Sequence, residues 1–376
     1  MTFSPISTPV YLDYAATTPP APAVIEAVAE CMRSHIANPS AAYSAAGSAR
    51  RVLRMAKQTL SQMIGCDRNE LFFTSGGTEA NNWAFCNLSG KHVILSAIEH
   101  SSVLEAARNQ GCRVTLIQPD ENGVIQPEAV EKAIQADTSL ISVQYANNET
   151  GVLQPVEQIG TLARKHRILF HCDAVQALGH VMLNVQKLPV DLLSASAHKL
   201  YGPRGIGFLY IRSGVTLPPL IAGGGQENNR RSGTENIPAI EGFRLAAELA
   251  MKDMEQRSIQ EKDMLTHLFK LLKSQIPHAI WLGEQAERVP GICAVLLPGL
   301  PSEIAIAKLD MQGIMVSGGA ACAASSGRPS HVYTAMGLSG DEASCVLRFS
   351  AGRHTKLDEI ERAASELIGI YQSNSK

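Results

Sequence analysis

The sequence predicts an α/β protein with a large, doubly wound, mostly parallel sheet and a smaller α/β domain. Over the first 236 residues, short apolar runs of strand length alternate with helical stretches, which is the pattern of a parallel sheet covered by helices. A long periodic helical region then begins at Ile237, and beyond it the alternation becomes less regular. We therefore predict a large domain at residues 12–255 and a small domain formed by residues 1–11 and 256–376.

The composition excludes several classes of function. Hydrophobic residues make up 45% of the chain, charged residues 18%, and the formal net charge is −2, so neither disorder nor direct binding of nucleic acid is expected. The N-terminus has no basic segment followed by an apolar run, and no apolar stretch could span a bilayer. The eight cysteines contain no C-x-x-C pair, which argues against a metal site or a disulfide framework. We expect a soluble, cytoplasmic protein without a membrane partner.

The individual elements follow from periodicity and from turn residues. In the large domain, apolar runs predict strands at residues 70–74, 92–96, 114–118, 140–145, 168–170, 190–193 and 206–211. Helical spacing there predicts helices at residues 22–31, 44–63 and 103–109, a helix ending near residue 86, and a helix from 237 to 272. In the small domain the same signals predict a strand at 292–297, a helix at 302–312, an extended stretch at 345–350 and a final helix at 356–371.

Polar residues follow several of the predicted strands. His100, the run Asn147 to Glu149 and the run His171 to Gln176 each come after an apolar strand. Any one of them alone is better explained as a loop residue or helix cap. Because the carboxyl ends of parallel strands meet at one edge of a sheet, their recurrence predicts a site there.

A strand, a glycine turn and a helix start occur together at residues 70–86. Such a junction offers backbone N–H groups and the positive end of a helix dipole to an anion, and Thr78 adds a hydroxyl. The Gly-Gly pair alone is weak support, and it matches neither the P-loop nor the dinucleotide-binding pattern.

Lys199 lies on a predicted turn between two strands. A loop lysine is ordinarily a solvated side chain, but Ser196 and His198 beside it are donors suited to an anion. A confined lysine amine flanked by phosphate donors suggests pyridoxal phosphate. Asp173, which closes the strand at 168–170, can hold the pyridine nitrogen protonated.

With these residues assembled, the chain resembles the cysteine desulfurases, which are class V aminotransferase-like, pyridoxal phosphate-dependent enzymes of fold type I. The resemblance covers nearly the whole length. Its motifs occur in the family's order: YLDYAATTP, FTSGGTEANN, EH, NNETGV, DAVQ, SAHKLYGPRG, GGGQE, RRSGTEN, SGGAAC and LRFSAG. Tyr14 and Tyr43 depart from the common pattern.

The resemblance implies specific roles for individual residues. Lys199, Cys322 and His100 are expected to be catalytic, with Lys199 binding the cofactor aldehyde and His100 stacking on its ring. Asn148 and Arg348 are expected to bind the substrate carboxylate, for which a planar guanidinium is well suited. The cofactor is expected to contact Gly77, Thr78, His100, Asn148, Asp173, Gln176, Ser196, His198 and Lys199, joined by Thr234 from the other subunit of a homodimer.

Cys322 lies in a run of Gly, Ala and Ser. The resemblance implies that its thiolate takes the sulfur of L-cysteine as a persulfide and releases L-alanine. Arg348 follows Cys322 by 26 positions, which is similar to the long-loop group of the family and favours delivery of sulfur to an acceptor or scaffold protein, for iron-sulfur clusters or other thio-compounds. Two alternatives stay open: another pyridoxal phosphate enzyme of this fold, such as a selenocysteine lyase or an aminotransferase, and a catalytically silent scaffold.

Overall fold

A computed structural model describes residues 9–319 and 329–374 of the chain. The strands are β1 (Val10–Tyr11), β2 (Leu71–Thr74), β3 (His92–Ser96), β4 (Arg113–Ile117), β5 (Thr138–Ser142), β6 (Leu169–Asp173), β7 (Leu192–Ser196), β8 (Gly207–Ile211), β9 (Ile280–Trp281), β10 (Ile292–Leu296), β11 (Ile314–Met315) and β12 (Val346–Ser350).

The helices alternate with the strands through the first half of the chain and are interspersed with short strands in the second half. They are α1 (Pro22–Ser34), α2 (Ala46–Ile64), α3 (Gly77–Ala84), α4 (Ser101–Asn109), α5 (Pro127–Ala133), α6 (Val156–Lys165), α7 (Ile237–Gln275), α8 (Ser302–Asp310), α9 (His331–Ala335), α10 (Gly340–Ala343) and α11 (Leu357–Asn374). A left-handed turn lies at Gln226–Asn229, and 3-10 turns lie at Arg68–Glu70 and Ala197–Lys199.

A seven-stranded sheet with the order β2-β8-β7-β6-β5-β3-β4 forms the centre of the molecule. The five strands from β7 to β4 are parallel to one another, whereas β8 pairs antiparallel with both β7 and β2. Strands β3, β7 and β8 are buried along their whole length, as expected for a sheet with both faces covered. The predicted α/β, mostly parallel architecture is thus confirmed.

Local sequence signals explain several element boundaries. Pro22 occupies the first turn of α1, where its missing N–H removes no intrahelical bond. Helix α2 ends at Gly65, whose φ of 71° lies in the left-handed region that glycine adopts without strain. Strand β7 starts two residues after the beginning of the strand predicted at 190–193. The Val190 N–H donates to the Leu188 carbonyl, whereas Asp191 already bonds to Phe170 and Arg212.

Residues from both ends of the chain build a second core. Strand β10 pairs antiparallel with β9 and β12, and β1 pairs in parallel with β11. Helix α7 contributes to both cores: its first half, up to Ala250, packs against the large sheet, and its second half, from Leu265, packs against β10 and β12. The division into domains at residues 11 and 255 stays a prediction. In the described residues, the helices are all too short or too polar to cross a membrane.

Candidate active site

A cavity of about 240 Å³ opens at the edge of the large sheet where the parallel strands end. Strands β6 and β7 end there at Asp173 and Ser196. The cavity is lined by Ala15, Ala16, Gly77, Thr78, Asn81, His100, Ser102, Gln144, Ala146, Asn148, Asp173, Val175, Gln176, Ser196, His198, Lys199 and Arg348. The structure therefore brings together the predicted cofactor and substrate residues from one chain.

Two predicted residues are not among those lining this cavity. Thr234 lines a separate, smaller cavity with Ser75 and Gly205. Cys322 lies outside the described residues. Of the two departures from the family pattern, Tyr14 is buried against Tyr201, and Tyr43 is exposed.

Lys199 reaches the cavity from the 3-10 turn that follows β7. Its Nζ donates to the carbonyl oxygen of Ala16 at 3.0 Å and to that of Ala15. Both carbonyls belong to the segment after Asp13, which lies beside β12. The lysine amine is thus held at the junction between the N-terminal segment and the large sheet.

A chain of hydrogen bonds joins Asp173 to His100. The Asn81 amide donates to Asp173 Oδ2 at 2.7 Å and to Ser102 Oγ at 2.8 Å, and the Ser102 hydroxyl lies 2.7 Å from His100 Nδ1. The backbone N–H of Ser102 also donates to His100 Nδ1 at 3.1 Å. These donors leave Nδ1 as the acceptor, so the ring's proton belongs on Nε2.

Burial lowers the pKa of His100, and the nearby Lys199 and His331 lower it further, although the charge of Asp173 acts in the opposite direction. The ring is therefore neutral near neutral pH. A neutral, buried imidazole fixed by two hydrogen bonds is suited to stacking on an aromatic ring.

One end of the cavity is suited to an anion. Gly77 and Thr78 form the first turn of α3, where backbone N–H groups lack intrahelical partners. A Cβ at position 77 would lie 2.6 Å from Val175 Cγ2, so only glycine fits. Burial and the neighbouring cations lower the pKa of His198 to about 4, so this ring is a neutral hydrogen-bonding group.

Arg348 provides a buried cation at the other end of the cavity. The residue is 1% exposed, its Nη1 donates to the carbonyl oxygen of Asn148 at 2.9 Å, and its Nη2 lies 2.6 Å from Asp13 Oδ1. Its Nε is buried and has no hydrogen-bond partner among the described residues. The guanidinium is therefore positioned by protein groups and retains N–H donors, among them the Nε–H, for a ligand oxygen.

The donor set of this cavity fits pyridoxal phosphate. Within the part of the chain that the structure describes, Gln176 Oε1 and Asn81 Oδ1 are buried without a partner, and unsatisfied buried polar atoms indicate a missing ligand. Asp173 could hold the pyridine nitrogen, Lys199 the aldehyde, and the Gly77 to Thr78 turn with Ser196 and His198 the phosphate.

Sequence reasoning missed three residues of this site, and it included His171 among the polar residues of the site although this residue lies outside it. Asn81, Ser102 and Gln144 were not predicted. Fully buried Glu99 accepts the Gln144 backbone N–H at 2.7 Å, and burial raises its pKa well above the usual value. His171 instead lies in the sheet between two serine hydroxyls. Among the described residues no cluster of potential metal ligands occurs.

Comparison with known proteins identifies the family. The aminotransferase class-V family model matches residues 10–363. The chain is 39% identical to "Cysteine desulfurase IscS" of Methanosarcina thermophila, over 96% of this chain and 92% of that protein. Among solved structures it is similar to a NifS-like protein from Rickettsia africae (TM-score 0.90, 31% identity, 97% and 99% of the two chains) and to SspA in complex with cysteine (TM-score 0.78, 33% identity, 92% and 100%). The chain therefore belongs to the class-V aminotransferase family, within its cysteine desulfurase group.

Proposed function

We propose that this enzyme removes the sulfur atom of L-cysteine with pyridoxal phosphate as its cofactor, releases L-alanine and keeps the sulfur as a persulfide on Cys322. The observation that carries the proposal is the cavity in which the Lys199 amine, the Asp173 carboxylate and the Arg348 guanidinium meet. The relative named SspA, solved with cysteine, supports cysteine as the substrate.

The residues of the cavity divide the work between cofactor and substrate. Pyridoxal phosphate, when bound, withdraws electrons from the α-carbon of an amino acid. Asp173, aligned by Asn81, would keep a proton on the pyridine nitrogen, and His100 would stack on the ring. Lys199 would hold the cofactor aldehyde, and its amine is the group that would remove the α-proton of the substrate.

Arg348 and Asn148 bind the substrate carboxylate. The guanidinium forms a charged, directional contact with that group, which fixes the orientation of the α-carbon relative to Lys199. Because Arg348 is 1% exposed, this contact is poorly screened by water.

Cys322 collects the sulfur. Its thiolate attacks the substrate sulfur, an S–S bond forms, and the bond from that sulfur to the β-carbon breaks with its electron pair remaining on carbon. The carbon then takes up a proton and leaves as alanine, so no external oxidant is needed. The role of Cys322 depends on the sequence alone.

We further propose that the enzyme is a cytoplasmic homodimer that delivers sulfur to an acceptor or scaffold protein, for iron-sulfur clusters or another thio-compound. Thr234 lies outside the main cavity of its own chain, which is compatible with a contact to the phosphate in a second copy. The spacing between Cys322 and Arg348 supports delivery to a protein partner.

The cofactor assignment is tested by colour. The purified protein should be yellow, borohydride should discharge the colour, and Lys199→Ala should abolish it. Lys187→Ala, which changes an exposed lysine, should remain yellow. A native protein that is still colourless after incubation with pyridoxal phosphate and removal of the free cofactor would point to a silent scaffold instead.

The nucleophile is tested by turnover of L-cysteine in the presence of a reductant. Cys322→Ser should lose alanine formation, whereas Cys112→Ser, a free and partly exposed cysteine, should keep it. Wild-type turnover in Cys322→Ser would indicate a selenocysteine lyase or aminotransferase chemistry that does not need this thiol.

A further inference from the structure

The turn that carries Lys199 is strained. Tyr201 has a φ of 65° although it is not glycine, and it is 1% exposed. Bulky residues rarely adopt this left-handed conformation. It persists only where the surrounding structure holds the backbone firmly, and such positions concentrate at functional sites.

Thr18 and Ala21 hold the turn on one side. Thr18 donates to the His198 carbonyl through both its N–H and its hydroxyl, each at 2.9 Å, and its Oγ1 accepts the Tyr201 N–H at 2.7 Å. The Ala21 N–H donates to the Tyr201 carbonyl at 3.0 Å. These bonds hold the residue before Lys199 and the residue two positions after it.

His180 holds the turn on the other side. Its Nε2 lies 3.1 Å from the carbonyl oxygen of Lys199, and its Nδ1 lies 3.3 Å from Arg257 Nη1. A carbonyl only accepts and a guanidinium only donates, so both contacts are satisfied by one tautomer, with the proton on Nε2. Burial and the charge of Arg257 lower the pKa of His180 to about 3, which keeps the ring neutral.

Arg257 is itself fixed by its neighbours on α7. It is 3% exposed, its Nη1 donates to Glu261 at 3.3 Å, its Nε lies 3.6 Å from Asp253, and it also donates to the Gly179 carbonyl. Asp253, Arg257 and Glu261 recur every four positions and therefore share one face of α7. They lie between the residues of α7 that pack in the first core and those that pack in the second.

We infer that His180 and Arg257 are positioning residues for Lys199, which clamp the strained turn from helix α7 and thereby fix where the lysine amine lies in the cavity. The inference rests on the proposed role of Lys199. It assigns no contact with substrate or cofactor to either residue. Their effect passes through the carbonyl oxygen of Lys199.

The test compares His180→Leu, which removes both ring nitrogens, with His180→Gln, which restores a donor and an acceptor. The cofactor-loaded variants are given L-alanine in D₂O, and exchange of its α-proton is followed by NMR. We expect the exchange rate of His180→Leu to fall by about tenfold or more, because small displacements of a catalytic group are costly, with little change in alanine affinity. His180→Gln should recover most of the rate, and His267→Leu, which changes a partly exposed histidine, should behave as wild type.

A second readout does not depend on catalysis. In the cofactor-free protein, amide hydrogen exchange of residues 197–206 should speed up in His180→Leu and return towards the wild-type rate in His180→Gln. The ¹⁵N shifts of native, histidine-labelled protein should show His180 as the neutral Nε2–H tautomer between about pH 5 and pH 8, a measurement that needs no folded variant at this position.

The inference is overturned if His180 carries its proton on Nδ1, or if a folded His180→Leu exchanges alanine and its own amides as wild type does. It is equally overturned if Gln and Leu are impaired alike, since then only packing matters. Failure of the proposed function looks different, because Lys199→Ala would stay yellow while the tautomer and amide results held.

Discussion

Replacing Arg348 by lysine tests substrate recognition most directly. The change keeps one positive charge but removes the planar fork, so the contacts to Asn148 and Asp13 and the unused Nε donor cannot all be reproduced. A hydrogen bond to a charged group contributes roughly 1.5–3 kcal/mol. We therefore expect the KM for L-cysteine to rise by about 10- to 150-fold, while kcat changes less.

The assay separates loss of the carboxylate contact from general damage. Cysteamine carries the same thiol and amine as cysteine but no carboxylate, and binding of either is followed by the change in cofactor absorbance. The wild-type enzyme should prefer cysteine strongly, and Arg348→Lys should lose most of that preference while binding cysteamine normally.

Arg244→Lys is the control, because Arg244 is also an arginine paired with carboxylate groups, but it is only partly buried and lies on α7 away from the cavity. Its KM and its preference for cysteine should match those of wild type. If Arg348→Lys discriminated between cysteine and cysteamine as well as the wild-type enzyme does, Arg348 would not bind the carboxylate.

Three further predictions follow from buried contacts. Asn81→Ala removes the hydrogen-bond donor to Asp173 and should weaken cofactor binding by about tenfold, as measured by titrating the cofactor-free protein with cofactor. An unchanged affinity would show that Asp173 does not need to be aligned by Asn81. Gly77→Ala places a Cβ 2.6 Å from Val175. It should lower the cofactor affinity and reduce the free energy of unfolding, measured by urea titration, by about 1–3 kcal/mol. A variant with wild-type stability and cofactor affinity would argue against the close fit at this position. Burial raises the pKa of Glu261 from 4.5 to about 7, so the folded state binds more protons between these pH values and the free energy of unfolding falls as the pH rises. Glu261→Gln should remove roughly 3 kcal/mol of that fall. If urea unfolding at several pH values gave the variant and the wild type the same dependence of this free energy on pH, the prediction would be contradicted.

Periodicity was sufficient to predict the sheet and the edge at which the site lies. The apolar run at residues 92–96 is confirmed without change as β3, because its length and its buried pattern leave no competing interpretation. The reversed direction of β8 was less visible, since an antiparallel strand inside a mostly parallel sheet has the same buried pattern as its neighbours. The connection between β7 and β8, which has no α-helix, was the available signal, because parallel strands are usually joined by a crossover of about a dozen residues or more that contains one.

Periodicity could not predict contacts between residues that are distant in the sequence. Asn81 is separated from Asp173 by 92 positions, and Asp13 from Arg348 by 335. An asparagine in the first turns of a helix is usually a solvated side chain, and only the packing of α3 against the sheet turns this one towards a carboxylate. The residue pattern of a single sequence does not indicate that contact.

The histidines show why residue type and position do not determine a role. His100, His171 and His198 each lie in or just after a strand of the large sheet, and burial lowers the pKa of all three. His171 nonetheless bonds to Ser142 and Ser194 inside the sheet, whereas the other two face the cavity. Residues two positions apart on a strand lie on the same face, so His171 and Asp173 differ in depth and not in side. Asp173 ends β6 and lines the cavity, whereas His171 lies further inside the sheet, between Ser142 of β5 and Ser194 of β7. The role of a histidine here is determined by the groups that its ring contacts. Those contacts follow from the register of β5, β6 and β7 rather than from the presence of a histidine.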